Sequence, residues 1–221
     1  MSIKFENTEV MNFDGAIRGM RNPLNSWDKS DSFKEVVEKR YDEFNYSYDY
    51  CYTTDIGSND LALMKRLIKA GSDHRKFMRQ IIVNVDITAP LYWWKEFDTY
   101  KVGTVANSCS TMHTIHKRPF EIDDFSHEQM SDSAEHLLYQ IMRDLNYYRG
   151  MFVDTKDKKY WWSIIQLLPS SYNQKRTVTL NYETLYNIYG SRKNHKLDEW
   201  SIGFSNWIES LPYAKALIVE R

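Results

Sequence analysis

The stretch that constrains this chain most is Asp86–His113, DITAPLYWWKEFDTYKVGTVANSCSTMH. There the densest aromatic block of the sequence passes, without a Gly- or Pro-rich linker, into a tract of small polar residues. Thr88 is a good N-cap and Pro90 stands where a first helical turn begins, so Pro90 to about Tyr100 is expected to be helical. Leu91, Trp94, Lys95 and Asp98 share one face of that helix, with Tyr92, Trp93, Glu96 and Tyr100 around it. So aromatic a helix belongs in a core or against another chain. The following Gly103, Thr104, Asn107, Ser108, Ser110 and Thr111 are too polar for a core strand. The pair of segments makes either the floor of a ligand pocket or a core helix followed by a surface loop, and the stretch alone leaves both open.

With 221 residues, 42% of them hydrophobic and 15% aromatic, the chain has enough apolar mass for one well-packed domain. A net charge of -1 argues against blanket binding of a nucleic acid polymer. Cys51 and Cys109 show no C-x-x-C spacing, so a disulfide scaffold or zinc site is not expected and a reducing compartment fits. The N-terminal MSIKFENTEVMNF lacks the apolar core of a signal peptide, and no segment approaches the roughly 20 apolar residues of a membrane span. The expectation is a soluble, cytoplasmic protein.

Along the chain, Ile3–Phe13 reads as an edge strand. Ser32 and Glu35 form a capping-box pattern ahead of a helix carrying Phe33, Val36, Val37 and Tyr41. Tyr41, Tyr46, Tyr48, Tyr50 and Tyr52 offer rings for base stacking or for a wet intersubunit surface. Leu61–Ala70 is an amphipathic helix capped by Asn59 or Asp60 and ended by Gly71. Phe77–Ile87 reads as a strand that Arg79 and Asn84 interrupt. A capping box at Ser126 and Gln129 predicts a long helix from His127 to about Tyr148, closed by Gly150. A helix over Lys156–Leu168, a strand over Arg176–Leu180, a helix capped by Asn181 and a last helix over Leu197–Leu211 complete an α+β pattern with no internal repeat.

His74, His113, His116, His127, His136 and His195 are scattered, and the i, i+3 pair His113/His116 has no carboxylate pattern around it, so no metal site is expected. No G-x-S-x-G elbow, P-loop or G-x-G-x-x-G motif occurs. What remains is a split anion site. One half is Lys101 with Thr104, Asn107, Ser108 and Ser110. The other is Asn181 and Asn187 followed by Arg192 and His195, where Arg192 offers a planar fork for a phosphate or a pyrimidine carbonyl edge. Arg192 is equally a cation favoured at a helix C-terminus.

Together these pieces resemble the flavin-dependent thymidylate synthases, diffusely, from Leu61 to Leu211. LLPSSY (Leu167–Tyr172) is similar to the family's leucine-proline segment before its last strand, and TLNYETLYNIYGSRKNHKLDEW (Thr179–Trp200) to its Asn-x-Arg helix and Ala-Gln-x-Glu-Ile block. Asn181, Asn187 and Arg192 keep the spacing of the family's flavin-binding asparagines and substrate-activating arginine. GSDHRKF resembles the Gly-His-x-Ser-Pro-x-Glu-His segment, with Phe77 at its last histidine unless a small gap lets His74 stand in. The signature Arg-His-Arg-x-x-Ser-x-Asn-x-x-Ser-x-Arg, laid over Tyr100–Met112, keeps only Asn107 and Ser110, with Lys101 the one cation left. The Asn-x-Arg arginine is Glu183, and Ala-Gln is Leu197-Asp198.

The resemblance implies a single domain over 1–221, with 1–58 its divergent N-terminal part, built on a central, mostly antiparallel sheet packed with long helices. It implies a homotetramer with sites between subunits. Cofactor FAD would be bound through Asn181, Asn187, Lys101, Thr104, Asn107 and His74, and a dUMP-like pyrimidine nucleotide through Ser108, Ser110, Arg192 and Arg79. Arg192 would be the catalytic residue, with NADPH reducing the flavin and methylenetetrahydrofolate donating carbon. Each lost charged hydrogen bond to a phosphate is worth on the order of 1.5–3 kcal/mol, so without compensation nucleotide or flavin affinity falls by several decades; Lys101, Arg75, Lys76, Arg79, Lys95 and Arg118 are near enough in sequence to repopulate the site. Three readings stay open: dUMP methylation, C5 methylation or hydroxymethylation of another pyrimidine nucleotide, and a catalytically silent binder of nucleotide or flavin.

Overall fold

A computed structural model describes residues 3–42 and 47–220, and for 37–42 and 47–52 the backbone alone. The chain divides into two compact units, each gathered from three stretches. The first holds Met1–Glu9, Asn84–Thr179 and Ser191–Trp207, and the second Val10–Val83, Leu180–Gly190 and Ile208–Arg221. In chain order the elements are β1 (Lys4–Met11), α1 (Phe13–Arg21), β2 (Phe33–Asp42), β3 (Ser47–Asp55), α2 (Ser58–Lys69), β4 (Ile82–Pro90), α3 (Leu91–Phe97), β5 (Val105–Ser108), α4 (Thr111–Thr114), α5 (Asp132–Thr155), α6 (Lys158–Leu167), β6 (Asn173–Asn181), α7 (Tyr182–Arg192) and α8 (Ser205–Ser210). Between α7 and α8, Glu199–Phe204 forms a π-helical turn. The class is α+β, as the pattern predicts.

Four strands make one sheet in the order β1-β4-β6-β5, so β1 lies at an edge as its alternating sequence suggests. Along β4 the buried positions are Val83, Val85, Ile87 and Ala89, a period of two that fixes one face to the core. The other face is polar and tied across strands: Thr179 donates to Asn84 and Thr177 to Asp86, while Asn7 donates to the same Asp86 carboxylate. These pairs run β4 and β6 in opposite directions, and β5 also pairs antiparallel with β6, Val105 opposite Thr179 and Ser108 opposite Arg176.

The long helices α5 and α6 of the first unit pack on each other. Leu138 and Leu145 of α5 meet Ile164 of α6 in a cluster with Ile115, Phe120 and Phe125. Asn146 holds the Phe120 backbone at both its N–H and its carbonyl, at 2.7 and 2.9 Å. Helix α5 starts at Asp132 rather than His127, because Asp132 and Glu135 occupy the first turn after Ser131, while Ser126 and Gln129 stand before it. Gly150 does not end it; the chain leaves at Lys156, which takes a left-handed φ of 58°. The last helix is likewise broken where Leu197–Leu211 reads as continuous, since the turn at Glu199–Phe204 widens to put both Trp200 and Phe204 inward.

In the second unit the expected helix after Ser32 is a strand. β2 pairs antiparallel with β3, from Phe33 opposite Asp55 to Asp42 opposite Ser47. The capping-box pattern fails because the Ser32 hydroxyl is taken: it donates to Asp60 Oδ2 at 2.7 Å and accepts from Gly57 N at 3.0 Å. The tyrosine-rich tract after Phe33 falls outside the described side chains. Asp60, fully buried, accepts from Arg21 Nε at 2.6 Å, Ser30 Oγ at 2.7 Å and the backbone N–H groups of Asp31 and Ser32. Arg21 in turn donates to the carbonyls of Ser26 and Lys29. Asp31 caps α2 from a distance, accepting from the N–H groups of Asn59 and Asp60. A side chain at Gly57 would strike Asp31, its backbone oxygen 2.4 Å from a Cβ there, so glycine is required for this approach.

Candidate functional site

The aromatic helix α3 is buried as its sequence demands, but it is shorter than Pro90–Tyr100, ending at Phe97. Trp93, Trp94 and Phe97 are fully buried, and Trp93 stacks on Trp200 with ring centroids 4.4 Å apart. Arg192 lies over the Trp200 ring at 5.0 Å and donates from Nε to the Tyr100 hydroxyl at 2.8 Å. Its Nη1 is 2.9 Å from Glu96 Oε2, and His195 Nε2 is 3.4 Å from the same oxygen. The guanidinium is thus held over an aromatic ring and fixed at two nitrogens, which is a preorganised fork. Glu96 stands on α3 and Tyr100 just beyond its end, but their hold on Arg192 has no signal in sequence spacing. Arg176 repeats the device: it lies 4.2 Å over Trp94 and donates to Asp98 at 2.7 Å.

The hydroxyl-rich segment is a strand at the sheet edge, exposed along β5, rather than a loop. Asn107 lies opposite Thr177 and Ser108 opposite Arg176. Ser110 caps the short α4 by accepting from His113 N at 3.1 Å. Lys101 is exposed, and Thr104 carries a buried hydroxyl with no hydrogen-bond partner. Within one chain the partners of Arg192 are Glu96, Tyr100 and Trp200, not Asn107–Ser110.

In the second unit Asn181 caps α7, its Oδ1 accepting from Thr184 N at 3.0 Å. Arg75 and Arg79 sit on a 3-10 turn, Arg75–Gln80, that follows the exposed His74. The strand expected from Phe77 therefore begins only at Ile82, where buried alternation starts. Both arginines converge on Glu183: Arg75 Nε is 3.2 Å from Oε1, and Arg79 Nε donates to Oε2. Arg75 also donates to Asn187 Oδ1 at 3.4 Å and lies 4.4 Å over the Tyr186 ring. The Glu183 hydrogen bond, aided by its charge, raises the Arg79 pKa above its ordinary value.

A cleft of about 750 Å³ in the first unit has no counterpart in the sequence reading. Tyr92, Ser126, Ser171, Leu197 and Glu199 are among its lining residues. Tyr92 donates to Glu199 and lies 3.2 Å from Ser126 Oγ. Burial first, then that carboxylate, push the Tyr92 phenol up, so it stays a neutral donor. Among the described residues no three His, Cys, Asp or Glu side chains group as a metal site, and no helix is long and apolar enough to cross a membrane.

Two crystal structures of thymidylate synthase X from Helicobacter pylori, both with FAD and dUMP, superpose at a TM-score of 0.67 with 16% identity. One match covers 99% of this chain and 96% of the other, the second 100% and 98%. The fold is that of a flavin-dependent thymidylate synthase. No family model matches the sequence, and no curated protein matches it significantly. The likeness resides in backbone architecture over the whole length.

Proposed function

We propose that this chain is a flavin-dependent methyltransferase of the thymidylate synthase type, converting dUMP to dTMP with methylenetetrahydrofolate as carbon donor and NADPH as reductant. The observation that carries this reading is the end-to-end fold likeness to an enzyme crystallised with FAD and dUMP. The donor chemistry suits a flavin nucleotide. Arg75 and Arg79 offer guanidinium forks for its phosphates, Asn181 and Asn187 offer amides, and Tyr186 offers a ring. Lys101, Thr104, Asn107 and His74 complete the flavin-binding set, and Ser108, Ser110, Arg79 and Arg192 the nucleotide-binding set, in a site closed between subunits of a homotetramer. FAD, when bound, supplies the electrons that complete the methyl group, so no protein nucleophile is required.

The chain's own residues orient and balance charge. Arg192, stacked on Trp200 and anchored by Tyr100, presents fixed N–H groups to a pyrimidine carbonyl and to the negative charge that develops there. Its rigidity means that little reorganisation is needed when the substrate arrives. A second reading, a catalytically silent nucleotide or flavin binder, is favoured by one feature: Arg75, Arg79 and Arg192 each face a glutamate. Transfer of label from methylenetetrahydrofolate to dUMP, run beside dCMP and UMP with FAD and NADPH present, separates the two. Label in the dUMP product is expected. FAD binding without label in any of the three nucleotides would give the silent reading.

A further inference from the structure

Arg75 and Arg79 stand on one 3-10 turn, and Glu183 and Asn187 are four residues apart on α7, a spacing that puts these two on neighbouring positions of one helix face. The contact they make is unequal in charge. Two guanidiniums close on one carboxylate, Arg75 through Nε at 3.2 Å and Arg79 through Nε, so the group retains one net positive charge. Arg75 is further fixed by Asn187 and by the face of Tyr186. Glu183 is nearly buried, with 10% of its side chain exposed, whereas Arg79 is 53% exposed and reachable from solvent. Asp73 is the other acidic group acting on Arg79.

We infer that Glu183 is a built-in anion, occupying an arginine pair whose ligand is a phosphoryl group, and that binding proceeds by exchange of carboxylate for phosphate. A carboxylate gripped by two guanidiniums occupies the place a phosphate takes between them, because both anions accept planar N–H forks. A phosphoryl group brings three oxygens and up to two charges, so it competes well for the pair despite the cost of displacing Glu183. The arrangement keeps both guanidiniums positioned in the empty protein, which would otherwise repel each other. It also sets a threshold on affinity, since every bound phosphate must first displace a charged neighbour. The inference rests on the proposed flavin and nucleotide site, of which Asn187 and Arg79 are members, and adds to it what Glu183 does there.

The test is titration of inorganic pyrophosphate, and separately FAD, into full-length wild type, Glu183→Gln, Arg79→Gln and the double variant, with thermal melts alongside. Glu183→Gln is expected to bind pyrophosphate on the order of tenfold more tightly than wild type, the effect of removing about 1.4 kcal/mol of competition. The double variant is expected to lose that gain. Arg79→Gln, at a half-exposed position that does not endanger folding, is expected to weaken pyrophosphate binding below the wild-type level. A folded Glu183→Gln protein that binds pyrophosphate no better than wild type overturns the inference. Should that variant not fold, unchanged pyrophosphate binding by Arg79→Gln overturns it instead. Tighter pyrophosphate binding with no FAD binding by any variant would leave the anion site standing and remove the flavin reading. FAD binding with pyrophosphate indifferent to both substitutions would do the reverse.

Discussion

Asp60→Asn is expected to lower stability by about 3–5 kcal/mol, the cost of leaving a buried charge without its partner. Arg21 is 3% exposed and Asp60 is not exposed at all, so Arg21 has no water to turn to once the carboxylate is gone. Asp60 also organises three loop positions at once, through Ser30, Asp31 and Ser32, so the loss loosens the entry to β2 as well as the start of α2. For a chain of this size that cost corresponds to a melting temperature lower by roughly 10 °C. The pH dependence follows the same group. Burial raises the Asp60 pKa, but hydrogen bonds from Ser30, Ser32 and Arg21 outweigh burial and hold it below the ordinary value. The folded value lies under the unfolded one of about 3.9, so the unfolded chain binds more protons between the two. Its contribution is complete above about pH 4 and is lost as pH falls through the folded value. Asp60→Asn should therefore flatten part of the acid limb of a stability-against-pH curve, the remainder belonging to groups such as Asp31 and Asp86, whose carboxyls hydrogen bonds also hold low. Denaturant melts at neutral and acid pH check this. A variant within about half a kcal/mol of wild type at neutral pH would show that the network is not structural.

Arg192→Ala is expected to reduce turnover of dUMP by about 10²–10³-fold, the cost of removing one preorganised donor from a developing negative charge. Stability should move by only about 1 kcal/mol, because Glu96 is 36% exposed and regains water when the arginine leaves. The loss is expected mostly in kcat, since the donor acts where charge develops. Arg192→Lys keeps the charge but not the fork, and should recover only part of the rate. An unchanged kcat in Arg192→Ala would take this residue out of the mechanism.

The class of the fold was legible because its strongest patterns are local. The alternation of β4, the amphipathic α2 and the Asn181 cap each follow from a few neighbouring residues, and the structure contains all three. Local signals mislead where distant partners override them. Ser32 looks like a helix cap until Asp60 and Gly57 claim its hydroxyl. Gly150 looks like a terminator, yet nothing there requires a left-handed turn, and Lys156 makes the one that ends α5. The residues proposed for the site are legible in part for the same reason: Arg192, Asn181 and Asn187 stand out by their spacing along one helix. Glu96, Glu183 and the Tyr92–Glu199 cleft depend on residues about 90 to 110 positions apart in sequence, which no periodicity encodes.

We propose that this chain retains a flavin site in the fold it shares with thymidylate synthase X. The visible absorbance spectrum of purified protein, before and after incubation with FAD and removal of excess, tests it most directly. Flavin absorbance approaching one FAD per chain is expected, together with release of flavin fluorescence on denaturation. Protein that stays colourless after incubation, with a melting temperature unmoved by FAD, would contradict it.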